Sequence, residues 1–163
     1  MSATVRPAGE ADIPALFAIR TAVRENHMSL DELAAAGVTP DTIAAMLLGG
    51  DAAGWLGERA GRPAGFSMAR ADVGDLFVIA VLPEFEGQGL GGLLLREAER
   101  WLALRGVEEA WLSTGGEPGL RAPGFYAARG WRAAGREADG QIRFTKRLEP
   151  GLIANPPDGF GAA

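Results

Sequence analysis

Cysteine is absent from the 163 residues, and histidine and tyrosine occur once each. Without cysteine there is no disulfide framework, no thiol nucleophile and no thiolate metal site. A lone His27 cannot build a histidine metal cage, so no metal is expected and any catalysis falls to oxygen groups or backbone amides. No window reaches the roughly eighteen uninterrupted apolar residues of a membrane span, so a soluble, globular class with no membrane partner is expected. Positive charge is also short: 16 Lys and Arg against 21 Asp and Glu leave a net charge of -5. That balance disfavours nucleic acid, whose phosphates need a basic face, but leaves room for a local anion site.

What is present is a chain that is 47% apolar and 23% charged, with 24 glycines. It is long enough for one domain with a full core. The opening MSATVRPAGEAD lacks a basic stretch followed by an apolar one, so no export signal is expected and the location read from it is cytoplasmic.

Apolar spacing sets the expected elements. An edge strand is expected at Thr4 to Arg6, followed by a helix on Ile13, Leu16, Phe17, Ile19, Ala22 and Val23 that ends near Asn26. Ser29 to Glu32 has the form of a capping box, and Thr39-Pro40 pairs a capping side chain with a proline at a first helical position. Two short helices are therefore expected before Gly49-Gly50. Strands Trp55 to Arg59 and Ala64 to Arg70 form a hairpin around Ala60 to Pro63. The continuous apolar run Leu76 to Leu82 predicts a central strand buried on both faces. A helix from Leu90 to Gly106 and a strand at Ala110 to Leu112 complete a right-handed crossover with parallel pairing. A short helix at Phe125 to Ala128 and a last hairpin, Trp131 to Arg136 with Ile142 to Leu148, follow. One domain over residues 1–148 is expected, with 149–163 as a loosely packed tail that offers, with the last hairpin, a possible homodimer interface.

The segment Glu86-Gly87-Gln88-Gly89-Leu90-Gly91-Gly92 places glycines between a buried strand and a helix start. Glycine lets backbone amides approach a ligand, and the unpaired amides of a helix N-terminus favour an anion such as a pyrophosphate. The plain alternative is a flexible connector. Gly87, Gly89 and Gly92 also satisfy G-x-G-x-x-G, but Pro83 to Glu86 separate them from the strand, against a dinucleotide fingerprint. No GK[ST] follows, against a triphosphate loop.

Val81 to Leu95, VLPEFEGQGLGGLLL, resembles the acetyl-CoA signature of the GNAT family of N-acetyltransferases, and Gly124 to Trp131, GFYAARGW, resembles its second signature. The resemblance covers about Thr4 to Leu148. It implies an α/β (α+β) fold: a mixed, mostly antiparallel sheet with a central, splayed parallel strand pair flanked by helices. It also implies acetyl-CoA as acyl donor, with its pyrophosphate on the amides of Gly87, Gln88, Gly89, Leu90, Gly91 and Gly92 and its pantetheine along Ile79, Ala80 and Val81. Glu86 stands where the family usually has Gln or Arg. A carboxylate there would repel pyrophosphate, so Glu86 is expected to point to solvent. Gly119 stands where many members have a cofactor-bonding Asn.

Direct transfer from a thioester to an amine needs a neutral amine, an N–H donor for the oxyanion and an acid for the thiolate. The resemblance places Tyr126 as that acid, the alternative being an aromatic packed beside Phe125. Asp75 lies near a catalytic carboxylate of some members, the alternative being a solvated turn residue. Glu25, Asn26 and His27 fall where the family lines its acceptor pocket, and His27 is a further candidate base, or else an exposed or structural histidine. The implied partner is a small-molecule or peptide amine, and the acidic balance tilts toward a cationic one. The competing reading is a non-catalytic acyl-CoA-binding module of the same fold.

Overall fold

Residues 3–25 and 27–149 are described by the computed structural model. Asn26 and residues 150–163, which include the tail segment Ile153 to Phe160 considered for a dimer interface, lie outside them. In chain order the elements are β1 (Ala3–Pro7), α1 (Ile13–Arg20), α2 (Leu30–Ala35), α3 (Pro40–Gly49), β2 (Ala52–Arg59), β3 (Arg62–Arg70), β4 (Asp75–Val81), α4 (Leu90–Leu104), β5 (Glu109–Thr114), α5 (Ala122–Ala127), β6 (Arg132–Arg136) and β7 (Ile142–Arg147). The strands make one sheet in the order β1-β2-β3-β4-β5-β7-β6. Every neighbouring pair is antiparallel except β4 and β5, which are parallel. This is the mixed, mostly antiparallel architecture expected from the motifs, with the parallel pair at its centre.

Local chemistry sets the helix starts. Ser29 Oγ accepts from the Glu32 amide at 3.1 Å while the Glu32 carboxylate accepts from the Ser29 amide at 2.9 Å, a reciprocal capping box on α2. Thr39 Oγ1 accepts from the Thr42 amide at 3.1 Å, with Pro40 opening α3. The first helix stops at Arg20, short of the expected Asn26. The Thr21 hydroxyl donates to the Phe17 carbonyl at 2.8 Å, a side-chain bond that closes the last turn. His27 Nε2 then donates to the Thr21 carbonyl at 3.0 Å, just beyond the end of the helix.

Two cores flank the sheet. On one face α4 buries Leu90, Leu94, Leu95, Ala98 and Leu102 against Trp55, Leu112 and Phe144. On the other, Ile13, Leu16 and Ile19 of α1 and Ile43 of α3 pack on Leu56, Phe66, Met68 and Ala80. Each such leucine or isoleucine contributes roughly 1.5–3 kcal/mol. The buried Ser67 hydroxyl of β3 donates to the Leu94 carbonyl at 3.1 Å, a satisfied polar tie between sheet and helix. Gly57 of β2 sits where α4 begins: a Cβ there would lie 2.7 Å from Leu90 Cδ1, so a side chain at this position would push on Leu90, which is 1% exposed.

The central strand departs from its expected burial. β4 is in the middle of the sheet, yet Phe77, Val78 and Ile79 are only half-buried. Met68 pairs with Val78 and Ala69 with Leu76, which leaves Phe77 as an extra residue in a β-bulge. The bulge puts Phe77 and Val78 together on the α1 side, where they border a cavity. No helix among the described residues is long and apolar enough to cross a membrane.

Candidate active site

The cavity exists because β4 and β5 pair at a single register position, Asp75 opposite Trp111. The Trp111 amide donates to the Gly74 carbonyl at 3.1 Å, and beyond that point the strands separate. The gap widens into a cavity of about 830 Å³ that runs from the loop after α1 to the start of α4. Asp75, Ile79, Ala80, Val81, Gly87, Gly89, Leu90, Gly91, Gly92, Tyr126, Glu25 and His27 all border it, whereas Gln88 does not.

At one end lies the glycine loop. Gly87 and Gly89 have φ of +75° and +87°, a left-handed backbone that side chains disfavour, and open space where a Cβ would be. Leu93 donates to the Gly89 carbonyl at 3.3 Å. The amides of Leu90, Gly91 and Gly92 precede it in the first turn, where helix geometry supplies no acceptor, so the helix start carries a partial positive charge at residues that line the cavity. Backbone amides at a helix start are the chemistry that an anion takes. Two further glycines serve packing: a Cβ on Gly91 would lie 3.2 Å from the Phe125 ring and one on Gly92 3.2 Å from Arg129 Nε. Arg129 stacks 4.0 Å over the Phe125 ring and donates to the Phe125 carbonyl at 3.1 Å, which brings a cation beside the loop. No expectation from the sequence falls on Arg129, although it lies inside the second signature.

Glu86 does not point to solvent as expected. Its Oε1 sits 2.7 Å from Arg121 Nη1 and 3.3 Å from Arg24 Nη2. The two arginines, from the loop after α1 and from the residue preceding α5, neutralise the carboxylate that would otherwise repel an anion. Glu25 closes the same corner, both oxygens accepting from the Arg121 amide at 2.9 and 3.0 Å. Glu25 is thereby a cap for α5, and the loop after α1, the glycine loop and α5 meet in one polar cluster.

Tyr126 is 5% exposed, with its ring against Phe125, Trp131 and Phe144 at centroid distances of 5.1, 6.0 and 6.0 Å. Burial pushes its phenol well above the usual tyrosine range, so it stays protonated at physiological pH. It is both an aromatic packed beside Phe125 and a proton-bearing group at the cavity wall. Asp75 is neither solvated nor free. At 3% exposure, its two oxygens accept from Arg70 Nε at 2.9 Å and Nη2 at 2.6 Å. That pairing holds the Arg70 guanidinium more firmly protonated, and Arg70 also stacks 4.5 Å over Phe77. His27 is exposed at the cavity mouth; with Nε2 committed to Thr21, its Nδ1 is the nitrogen left to accept a proton.

Comparison with curated protein sequences gives no match. Among solved structures, the PaiA N-acetyltransferase of Thermoplasma acidophilum, solved in complex with coenzyme A, is similar with a TM-score of 0.77 and 16% identity, over 91% of this chain and 100% of that one. The ribosomal-protein-S18-alanine N-acetyltransferase of Escherichia coli is similar at 0.70 and 21%, over 97% and 98%. A GCN5-related N-acetyltransferase of Rhodopseudomonas palustris is similar at 0.72 and 22%, over 91% and 97%. These likenesses concern the fold. The profile of the acetyltransferase (GNAT) family matches residues 18–131, well over half of the sequence, and the chain therefore belongs to that family.

Proposed function

We propose that the cavity binds acetyl-CoA and transfers its acetyl group directly to an amine, with the donor entering from the α4 side and the acceptor from the loop after α1. The observation that carries this reading is the single register pair between β4 and β5, which frees the edge of β4 beside an amide-lined helix start. Pantetheine then lies along Ile79, Ala80 and Val81, and the pyrophosphate takes the amides of Gly87 to Gly92, with Arg129 as an added cation. A freed β4 amide is the donor for the tetrahedral oxyanion.

In the transfer, the amine nitrogen attacks the thioester carbonyl and the carbon–sulfur bond breaks. The Tyr126 phenol donates its proton to the departing sulfur and is reprotonated from solvent. Asp75, with both oxygens on Arg70, positions the start of β4, and the amine proton leaves toward the mouth, where His27 presents Nδ1. The cytoplasmic location and the small-molecule or peptide nature of the amine belong to the same proposal. A thermal-shift titration with acetyl-CoA, CoA, NAD and ATP tests the donor half, since a ligand that binds only the native state raises the melting temperature. Both CoA forms are expected to raise it and NAD is not; no shift with either CoA form overturns the reading. Release of CoA thiol in the presence of an amine then separates a turning-over enzyme from a binding module.

A further inference from the structure

A second, smaller cavity of about 190 Å³ lies under the acceptor side, between α1, α2, α3 and the face of β3 and β4. Its walls are apolar, with Leu33, Ile43, Phe66 and Met68 among them, and Arg20 is the one charged residue in its lining. Arg20, Met28, Phe77 and Val78 border both cavities, so the small one opens beside the bulged part of β4. Cavities of about 150 Å³ lined by such side chains hold benzene. This one therefore has room for a phenyl or branched aliphatic group.

Arg20 is the anomaly. Its Nη1 is shielded from solvent and has no hydrogen-bond partner among the described residues. Burial without a compensating anion also makes its protonated form less favourable than usual. The other charged groups bordering the large cavity have partners: Arg70 with Asp75, Arg24 and Arg121 with Glu86, Glu25 with the Arg121 amide, and Arg129 with the Phe125 carbonyl. The guanidinium is half-buried, and with Nη1 shielded and unpartnered part of the desolvation cost of the cation is left uncompensated in the free protein. Its planar fork suits a carboxylate held by two parallel hydrogen bonds.

We propose that the acceptor is an apolar α-amino acid, whose carboxylate pairs with Arg20, whose side chain enters the small cavity and whose amine faces the thioester beside β4. The proposal rests on the acetyltransfer reading above and specifies its acceptor. It runs against the cationic acceptor suggested by overall charge, because Arg20, the charged residue that borders both cavities, is itself a cation without a counter-ion among the described residues. The amine nitrogen bonds to the acetyl carbon, the thioester bond to sulfur breaks, one amine proton goes to solvent, and the products are an N-acetyl amino acid and CoA thiol.

The test measures CoA thiol release by the full chain with L-phenylalanine, L-leucine and L-methionine, against L-phenylalaninamide, phenethylamine, spermidine and a short peptide with a free N-terminus. The amino acids are expected to exceed the amide and the decarboxylated amine by about 100-fold in kcat/KM. Arg20→Met is expected to collapse that preference, chiefly through KM, and Arg20→Lys to restore part of it. Thermal melting and the acetyl-CoA-induced shift, measured on each variant, show whether the fold and donor site are intact. Equal or faster turnover of the amide, the peptide or spermidine overturns the proposal, as does retention of the preference in a folded Arg20→Met protein. If acetyl-CoA raises the melting temperature but no amino acid is acetylated, the acceptor assignment fails while the donor reading stands. If acetyl-CoA causes no shift, the donor reading itself has failed.

Discussion

Asp75 and Trp111 face each other at the one position where the two central parallel strands are in register, and the Trp111 indole reaches back to donate to the Val73 carbonyl at 2.8 Å. The parting of the sheet thus starts from a fixed point, and Arg70 holds that point by gripping both oxygens of Asp75. Arg70→Met leaves a buried carboxylate without its partner. Because the Arg70 side chain is itself 33% exposed, the expected loss is discounted to about 2–3 kcal/mol of unfolding free energy. Denaturant unfolding checks it, and a loss below about 0.5 kcal/mol would remove the structural role given to the pair. Asp75→Asn is expected to lower stability while turnover falls only with the folded fraction. A fall of 100-fold or more in a folded protein would instead make Asp75 the base.

Tyr126 is the only tyrosine in the chain, so tyrosinate absorbance reports this group alone. Burial raises its folded value above the ordinary value near 10. The neutral phenol is the form the fold favours, so its share of stability is present below about pH 10 and is lost as pH rises past that value. Tyrosinate is expected to appear only together with unfolding. Ionisation near pH 10 in the intact protein would show a solvated hydroxyl.

Tyr126→Phe keeps the ring contacts with Phe125, Trp131 and Phe144 and removes the proton. Turnover is expected to fall about 10- to 100-fold, at the lower end of general acid effects, with acetyl-CoA affinity retained. Unchanged turnover would mean that the thiolate leaves without this acid.

Gly89→Val puts a β-branched residue at φ +87°, where it is strained by at least about 1–2 kcal/mol, and its side chain enters the open space of the anion cradle. Acetyl-CoA affinity is expected to drop more than tenfold by calorimetry, with a smaller change in melting temperature of the free protein. Equal affinity would place the pyrophosphate elsewhere.

Glu86→Gln removes the carboxylate that Arg24 and Arg121 now neutralise, and leaves two cations at the edge of the cradle. Acetyl-CoA is expected to bind severalfold more tightly at low salt, and the gain should shrink as ionic strength rises. Weaker binding would show that the polar cluster matters more for holding α5 than for its charge.

Much of the scaffold was legible because its signals are local. Ser29 with Glu32 and Thr39 with Pro40 mark helix starts through chemistry within four residues, and the glycines before Leu90 mark the turn into α4. What was hidden depends on pairing across the sheet or between loops. Nothing near Asp75 in sequence announces that Arg70 takes both of its oxygens. The extra residue at Phe77 becomes visible only when β3 is laid beside β4. The sequence around Glu86 does not announce its pairing, because its partners lie 62 and 35 positions away, at Arg24 and Arg121. Arg20 did carry a signal: it falls seven residues after Ile13 and four after Leu16, on the apolar stripe of α1, where a charged residue interrupts the helical pattern.

The seating of Leu90 against Gly57 gives the anion loop a remote reference point. β2 lies two strands away from the opening between β4 and β5, yet its missing side chain leaves the room into which the first residue of α4 packs. A bulkier residue at position 57 would act like a shim under the helix. It would press on Leu90 and the start of α4, so a change outside the cavity lining would be felt at the glycine loop that borders it.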